Sequence, residues 1–258
     1  MKKSTRIPDV IVETEAVALV REEANTSLLT GYASRLIGRS GTGKTCAMWH
    51  VAHEMGGIYC EVTTASKNPK GMMEMLLRAA GYRSSCNSIS GIIDDVVHEY
   101  SPQVVLRGGK WIREQRLLFV DEIQTAEAPA LRELLRVQEQ CQFGLVLAGN
   151  EERLAGGNKD AATLKQIVSR IMPPCHLPGP SLRDCELIGA SFGVEGIPAY
   201  KVIASFGTGT DFRELDKLLI LAKSLTAGTT GIRLEHVEKA LRFMNQKEVL
   251  KHIGKEVA

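Results

Sequence analysis

Gly38-Arg39-Ser40-Gly41-Thr42-Gly43-Lys44-Thr45 is the stretch on which the reading of this 258-residue chain turns. It matches Gly-x-x-x-x-Gly-Lys-Ser/Thr in full. The β-prone run Ala33-Ser34-Arg35-Leu36-Ile37 leads into it, and a helical stretch follows to about Met55, where Gly56-Gly57 stops it. The glycines let the backbone curl until its N–H groups converge on phosphate oxygens, and the helix behind aims its positive end at the same point. Lys44 has the reach for β- and γ-phosphates, and the Thr45 hydroxyl can ligate Mg²⁺. The strand–loop–helix order predicts an ATP site, with Gly38, Arg39, Ser40, Gly41, Thr42 and Gly43 forming the cradle.

A second motif complements the first. Leu117-Leu118-Phe119-Val120 is a continuous apolar run, as a strand buried on both faces requires, and it ends in Asp121-Glu122. An acid at the tip of such a strand can hold the Mg²⁺ shell, and a second beside it can polarise the attacking water. Asp121 takes the metal role and Glu122 that of general base. The strand candidate Ile58–Val62 falls between the two motifs in sequence. It leaves room for a strand inserted between them in the sheet, as in P-loop ATPases with an additional catalytic glutamate.

Phe143–Ala148 reads as a fourth buried strand, followed by Gly149-Asn150. The Asn150 amide at that tip can sit between γ-phosphate and water; it also suits a helix cap. Arg170, within Ser169-Arg170-Ile171 at the end of a helix, can reach a nucleotide on a neighbouring subunit, or simply favour a helix C-terminus. In Gly209-Thr210-Asp211-Phe212-Arg213, Asp211 is a plausible cap, and Arg213 on the first turn can fold back onto the γ-phosphate of its own chain.

The remaining pattern predicts an α/β fold, a parallel sheet with helices on both faces, followed by a small all-helical domain. Residues 1–30 read as a lead-in containing a helical segment Glu15–Glu23. Met72–Ala80, Ile89–Tyr100 and Ala130–Cys141 are helices, and Gly108-Gly109 marks a mobile segment before Leu117. After a loop with Gly156-Gly157, a helix runs to Met172, where Pro173-Pro174 breaks it. The character changes at Pro178-Gly179-Pro180. This sets a nucleotide-binding domain at 31–178 and a helical lid at 179–258, the latter with stripes Leu215, Leu218, Leu219, Ala222 and Leu234, Val237, Ala240, Leu241.

Composition excludes several classes. With 44% hydrophobic and 24% charged residues the chain is an ordinary globular protein, and no apolar run approaches membrane-spanning length. Met1-Lys2-Lys3-Ser4 has no apolar stretch behind it, so a cytoplasmic location is expected. Six cysteines, at 46, 60, 86, 141, 175 and 185, form no CxxC pair and are expected as free, mostly buried thiols. His50 and His53 lack companions for a metal set. A net charge of +2 does not announce a nucleic-acid binder, so any DNA contact must be local.

The order of these parts is loop, Asp-Glu strand, Asn-tipped strand, Ser-Arg helix, and helical lid with Gly-x-x-x-Arg. It resembles the AAA+ ATPases over roughly residues 15–245. Gly144–Asn150, Gly156-Gly157-Asn158 and Ser169-Arg170-Ile171 are similar to one branch, that of the phage Mu transposition protein B and the related TnsC and TniB target-selection ATPases. Asp121-Glu122-Ile123-Gln124 departs from the Asp-Glu-Ala-Asp or Asp-Glu-Ala-Glu usual there, with both acids intact. With only about 20 residues before the core, a counterpart of the N-terminal helix-turn-helix of the Mu protein is not expected. The resemblance implies ATP-dependent assembly into rings or helical filaments on double-stranded DNA, without sequence specificity. It also implies delivery of that DNA to a partner transposase that stimulates hydrolysis. Candidate phosphate contacts are Lys67, Lys70, Arg83, Arg107, Lys110 and Arg113, with the 107–116 cluster (Arg116 included) foremost. The alternatives are a helicase loader or replication-initiation ATPase, and a small-molecule P-loop kinase; a kinase has no need of Glu122.

Overall fold

The two apolar runs with the fewest polar interruptions become adjacent strands of one parallel sheet. The computed structural model describes residues 11–150, 166–226 and 231–246. Its strands, in chain order, are β1 (Ser34–Ile37), β2 (Ile58–Glu61), β3 (Gln103–Arg107), β4 (Lys110–Glu114), β5 (Leu117–Asp121), β6 (Gly144–Gly149) and β7 (Cys175–His176). Five form a sheet of order β2-β5-β6-β1-β7, and every pairing in it is parallel. The register sets Glu61 opposite Asp121, Val120 opposite Leu147 and Ile37 opposite Gly149, so the strands end nearly level.

Helices α1 (Glu15–Thr30), α2 (Lys44–Glu54), α3 (Pro69–Ala79), α4 (Ile89–Tyr100) and α5 (Ala128–Cys141) accompany this sheet. Alternation along β5 and β6 sorts them by face, because successive side chains of a strand point to opposite sides. Leu118, Val120, Leu145 and Leu147 share one core with Met72, Met73 and Leu76 of α3, Ile92 and Val96 of α4, and Leu131, Leu134 and Leu135 of α5. Leu117 belongs to the other face, beside Leu28 of α1 at Gly144. All five residues of β5 and all six of β6 are buried, which is why both read as unbroken apolar runs.

The chain divides into two compact units. Of the described residues, the first comprises 19–38, 44–150 and 166–177; the second, 11–18, 39–43, 178–226 and 231–246. In the second, α6 (Leu182–Phe192), α7 (Ile197–Gly209), α8 (Phe212–Ser224) and α9 (Leu234–Phe243) bury Cys185, Ile203, Phe206, Leu215, Leu218, Leu219, Val237 and Leu241 in a core of their own. Ser181 caps α6 through a capping box with Asp184, and Asp211 caps α8 by accepting the Glu214 N–H at 2.9 Å.

Four expectations need correcting. The strand inserted between the two motif strands is β6, which follows the acid-tipped strand in sequence; β2 lies on its far side at the sheet edge. The lead-in helix runs to Thr30, since Val17, Val20 and Ala24 continue an apolar stripe that is fully buried. Residues 103–114 form an antiparallel hairpin, β3–β4, in which Gly108 (φ +57°) and Gly109 (φ +78°) make the tight two-residue turn. Paired positive φ values match the twist of a hairpin, so these glycines specify order here. The helix expected up to Met172 ends earlier, at Val168, because Ile171 bridges Ala33 beside β1. The start of that helix and the Gly156-Gly157-Asn158 loop lie outside the described residues, as do residues 1–10.

Candidate functional site

Level strand ends bring side chains from distant segments together. Thr45, on the first turn of α2, donates its hydroxyl to Asp121 Oδ2 at 2.7 Å. The same oxygen accepts the Tyr59 hydroxyl from β2 at 3.1 Å, while Oδ1 accepts the Glu122 N–H at 2.8 Å. Asp121 is only 1% exposed, so a carboxylate is held in the interior by three donors. Burial, and after it the charge of Asp121, pushes the Tyr59 phenol well above its ordinary range, so it acts there as a neutral donor. Burial likewise raises the neighbouring Cys60 thiol. A hydroxyl and a carboxylate oxygen at this separation form an all-oxygen donor set, which fits Mg²⁺.

Glu122, next in sequence, adopts a left-handed backbone (φ +55°, ψ +37°), which costs a residue bearing Cβ about 1–2 kcal/mol. This kink ends β5 and starts a short 3₁₀ turn, Ile123–Thr125. The turn brings the Gln124 amide back, so that it donates to Glu122 Oε2 through Nε2. Its Oε1 accepts the Asn150 N–H at 3.3 Å. Gln124 thus ties the carboxylate on one strand tip to the backbone of the next. Gly149 makes room for it: a Cβ there would lie 2.7 Å from Gln124 Oε1. In the sequence Gln124 stands out only as a departure from a pattern, and Tyr59 belongs to no motif. A polar aromatic in an otherwise β-prone edge strand was the one available signal for Tyr59.

Lys44 is buried at 8% exposure and donates its ammonium to Gly38 O, closing the start of the loop on itself. The intervening residues, Arg39–Gly43, cluster with the second unit. Within that unit Gly41 (φ +86°) accepts the Phe212 N–H at 3.0 Å, and a Cβ on it would run into Asp211. Gly43 (φ +80°) also needs a conformation that a side chain resists. Arg213 is therefore the second residue of a helix whose first, Phe212, is hydrogen-bonded to Gly41.

Other sequence candidates are placed elsewhere. Arg170 pairs with Glu139 of α5 at 3.4 Å, both half-exposed. Lys67 pairs with Glu127 at 3.2 Å; Lys70 donates to Asn87 O at 3.1 Å and stands 3.9 Å from Glu74. Arg83 and Lys110 are exposed. The side chains of Arg107 and Arg113 lie outside the described residues, although their backbones pair within the hairpin. Arg116 leaves the basic cluster altogether: it donates to Glu99 of α4 at 2.7 Å. The hairpin carries exposed Val104, Leu106, Trp111 and Ile112. Among the described residues no group of His, Cys, Asp or Glu suits a structural metal, and no helix is long and apolar enough to cross a membrane.

A parallel sheet in which a phosphate-loop strand and an acid-tipped strand flank a third defines a P-loop nucleotide-binding fold. Residues 30–155 match the AAA domain family. The chain is 24% identical over 187 residues, 71% of its length, to the Mu-like prophage FluMu DNA transposition protein B of Haemophilus influenzae; the match spans 62% of that relative. Among solved structures it resembles the ORC2 protein of Aeropyrum pernix in its ADP form, with a TM-score of 0.66 at 20% identity over 93% of this chain and 71% of that one. The ADPNP-ADP complexes of the same protein give 0.59 at 19% identity, over 93% and 70%. The fold is that of the AAA domains, matched over residues 30–155, just under half of the chain.

Proposed function

We propose that this chain is an ATPase of DNA transposition. It binds Mg-ATP, assembles on double-stranded DNA as a ring or helical filament, and presents that DNA to a transposase, with hydrolysis controlling disassembly. The observation that carries this reading is the 2.7 Å contact between Thr45 and Asp121, with Glu122 and Asn150 tied together on the adjoining strand tips. The relationship to a transposition protein B supports the biological setting.

Bound Mg²⁺ neutralises charge developing on the β- and γ-phosphoryl oxygens. In this reading Lys44 exchanges Gly38 O for phosphate oxygens, and Thr45 and Asp121 hold the cation. Glu122 takes the proton from the attacking water, which Asn150 orients. Residues 31–178 form the nucleotide-binding domain and 179–258 the lid, from which Arg213 serves the γ-phosphate of its own chain. Arg170 exchanges Glu139 for the nucleotide of a neighbouring copy; an active site completed in this way makes ATP a glue between subunits. Lys67, Lys70, Arg83, Arg107, Lys110 and Arg113 contact DNA phosphates with little base readout, so binding weakens steeply with salt.

The test is ATP hydrolysis, together with electron microscopy with ATP and duplex DNA, on the parental protein, Lys44→Ala and Glu122→Gln. Lys44→Ala is expected to lose ATP binding and nucleotide-dependent assembly. Glu122→Gln is expected to bind ATP, hydrolyse it at least about 100-fold more slowly, and remain assembled. Hydrolysis at the parental rate by Glu122→Gln, or assembly indifferent to ATP, refutes the proposal. A preference for single strands would point to a replication-type loader instead.

A further inference from the structure

The Asp121 carboxylate carries more hydrogen bonds than binding a cation beside Thr45 requires. Oδ1 is fixed by the N–H of the next residue, and Oδ2 is shared by two hydroxyls, Thr45 at 2.7 Å and Tyr59 at 3.1 Å. These two differ in what a cation does to them. The Thr45 hydroxyl would offer a cation a lone pair while its O–H stays on Oδ2, whereas Tyr59 would serve only as a donor to the carboxylate. Tyr59 reaches Asp121 from the edge strand. Register places it opposite Phe119, two residues below Asp121 on the same face, and the length of the ring carries its hydroxyl up to the carboxylate.

We infer that Tyr59 is a positioning residue for the metal-binding carboxylate, holding Asp121 so that Oδ2 keeps its remaining lone pair turned toward the Thr45 hydroxyl. The inference rests on the reading of this site as one for Mg-ATP and adds to it the group behind the ligand. Without the Tyr59 bond the carboxylate loses one of its three donors and turns more freely about its Cβ–Cγ bond. A well-oriented ligand is then replaced by one that must be ordered on each binding event. Partners of this kind behind a metal ligand typically set metal affinity by about 10-fold or more.

The experiment measures binding and needs no turnover. A fluorescent ATP analogue is titrated into the parental protein, Tyr59→Phe, Asp121→Asn and Thr45→Ala, each in EDTA and in Mg²⁺. Tyr59→Phe keeps the ring and removes only the donor. It is expected to bind the analogue in EDTA as the parental protein does, while the gain in affinity from Mg²⁺ falls about 10-fold and half-saturating Mg²⁺ rises to match. Equal weakening with and without Mg²⁺ would mark a merely structural tyrosine and overturn the inference. So would a full Mg²⁺ gain in Tyr59→Phe alongside its loss in Asp121→Asn and Thr45→Ala. If those two also keep the gain, the reading of the site as a Mg-ATP site fails, and Tyr59 with it.

Discussion

Replacing Gly149 by alanine tests the contact between strand tips directly. The added Cβ would stand 2.7 Å from Gln124 Oε1 and 3.2 Å from Ile123 Cγ2. Ordinary contact begins near 3.4 Å, so the amide must retreat by roughly 0.7 Å. A free glutamine would swing aside at little cost, but this one is tethered at both ends, to Glu122 and to the Asn150 N–H. Retreat sacrifices the longer of those bonds, worth about 0.5–1.5 kcal/mol. Crowding against Ile123 adds overpacking strain, and the whole comes to about 1–3 kcal/mol. Urea unfolding followed by tryptophan fluorescence is suited to the measurement, because both tryptophans, Trp49 and Trp111, lie in the first compact unit. The sharper assay is the double-mutant cycle. In a Gln124→Ala background the nearer obstacle is gone and only the Ile123 crowding remains, so Gly149→Ala should cost about 1 kcal/mol less, which is the coupling. An equal cost in both backgrounds would show that Gln124 does not lie against Gly149.

Leu134→Ala, at a fully buried position where α5 meets the sheet, should lower stability by about 2–4 kcal/mol in the same unfolding assay; a loss below 1 kcal/mol would contradict the packing. Asp211→Ala removes the acceptor for the Glu214 N–H and should cost about 1 kcal/mol by thermal melting, whereas Asp211→Ser retains a cap; equal losses would discount capping. Asp216 has its pKa raised above 3.8 by burial, so the folded state disfavours its charge. That penalty is fully present above the folded pKa and vanishes below the unfolded one. Asp216→Asn should therefore be more stable than the parental protein at pH 7, with the advantage shrinking as pH falls toward 3.8. A difference independent of pH would refute the assignment.

The parts of the candidate site that could be read from the chain were contiguous ones. Gly38–Thr45 carries its own geometry, because adjacent residues build both the curl and the helix start. The Leu117–Val120 run announced its burial because a strand covered on both faces has no polar side to show. The Gly108-Gly109 pair was legible too, flanked by the β-prone Val104-Val105-Leu106 and Trp111-Ile112, but two glycines were read as looseness where they encode a turn. Arg116 counted as a basic surface residue until α4 placed Glu99 beside it. Surface charge is a poor guide in sequence, since its partner can come from any element.

By itself, then, the sequence determined four of the five strands of the parallel sheet and most of the helices, the strand–loop–helix setting of the glycine-rich loop, and that two acids end a buried strand. These follow from local periodicity and from motifs whose members are neighbours in the chain. Only the tertiary structure decided that β6 lies between the two motif strands while β2 takes the edge. From that order came the contacts of Tyr59 with Asp121 and of Gln124 with Asn150. Strand order is a choice among packings with nearly the same local preferences, settled by burial summed over the whole sheet, and no single segment encodes it.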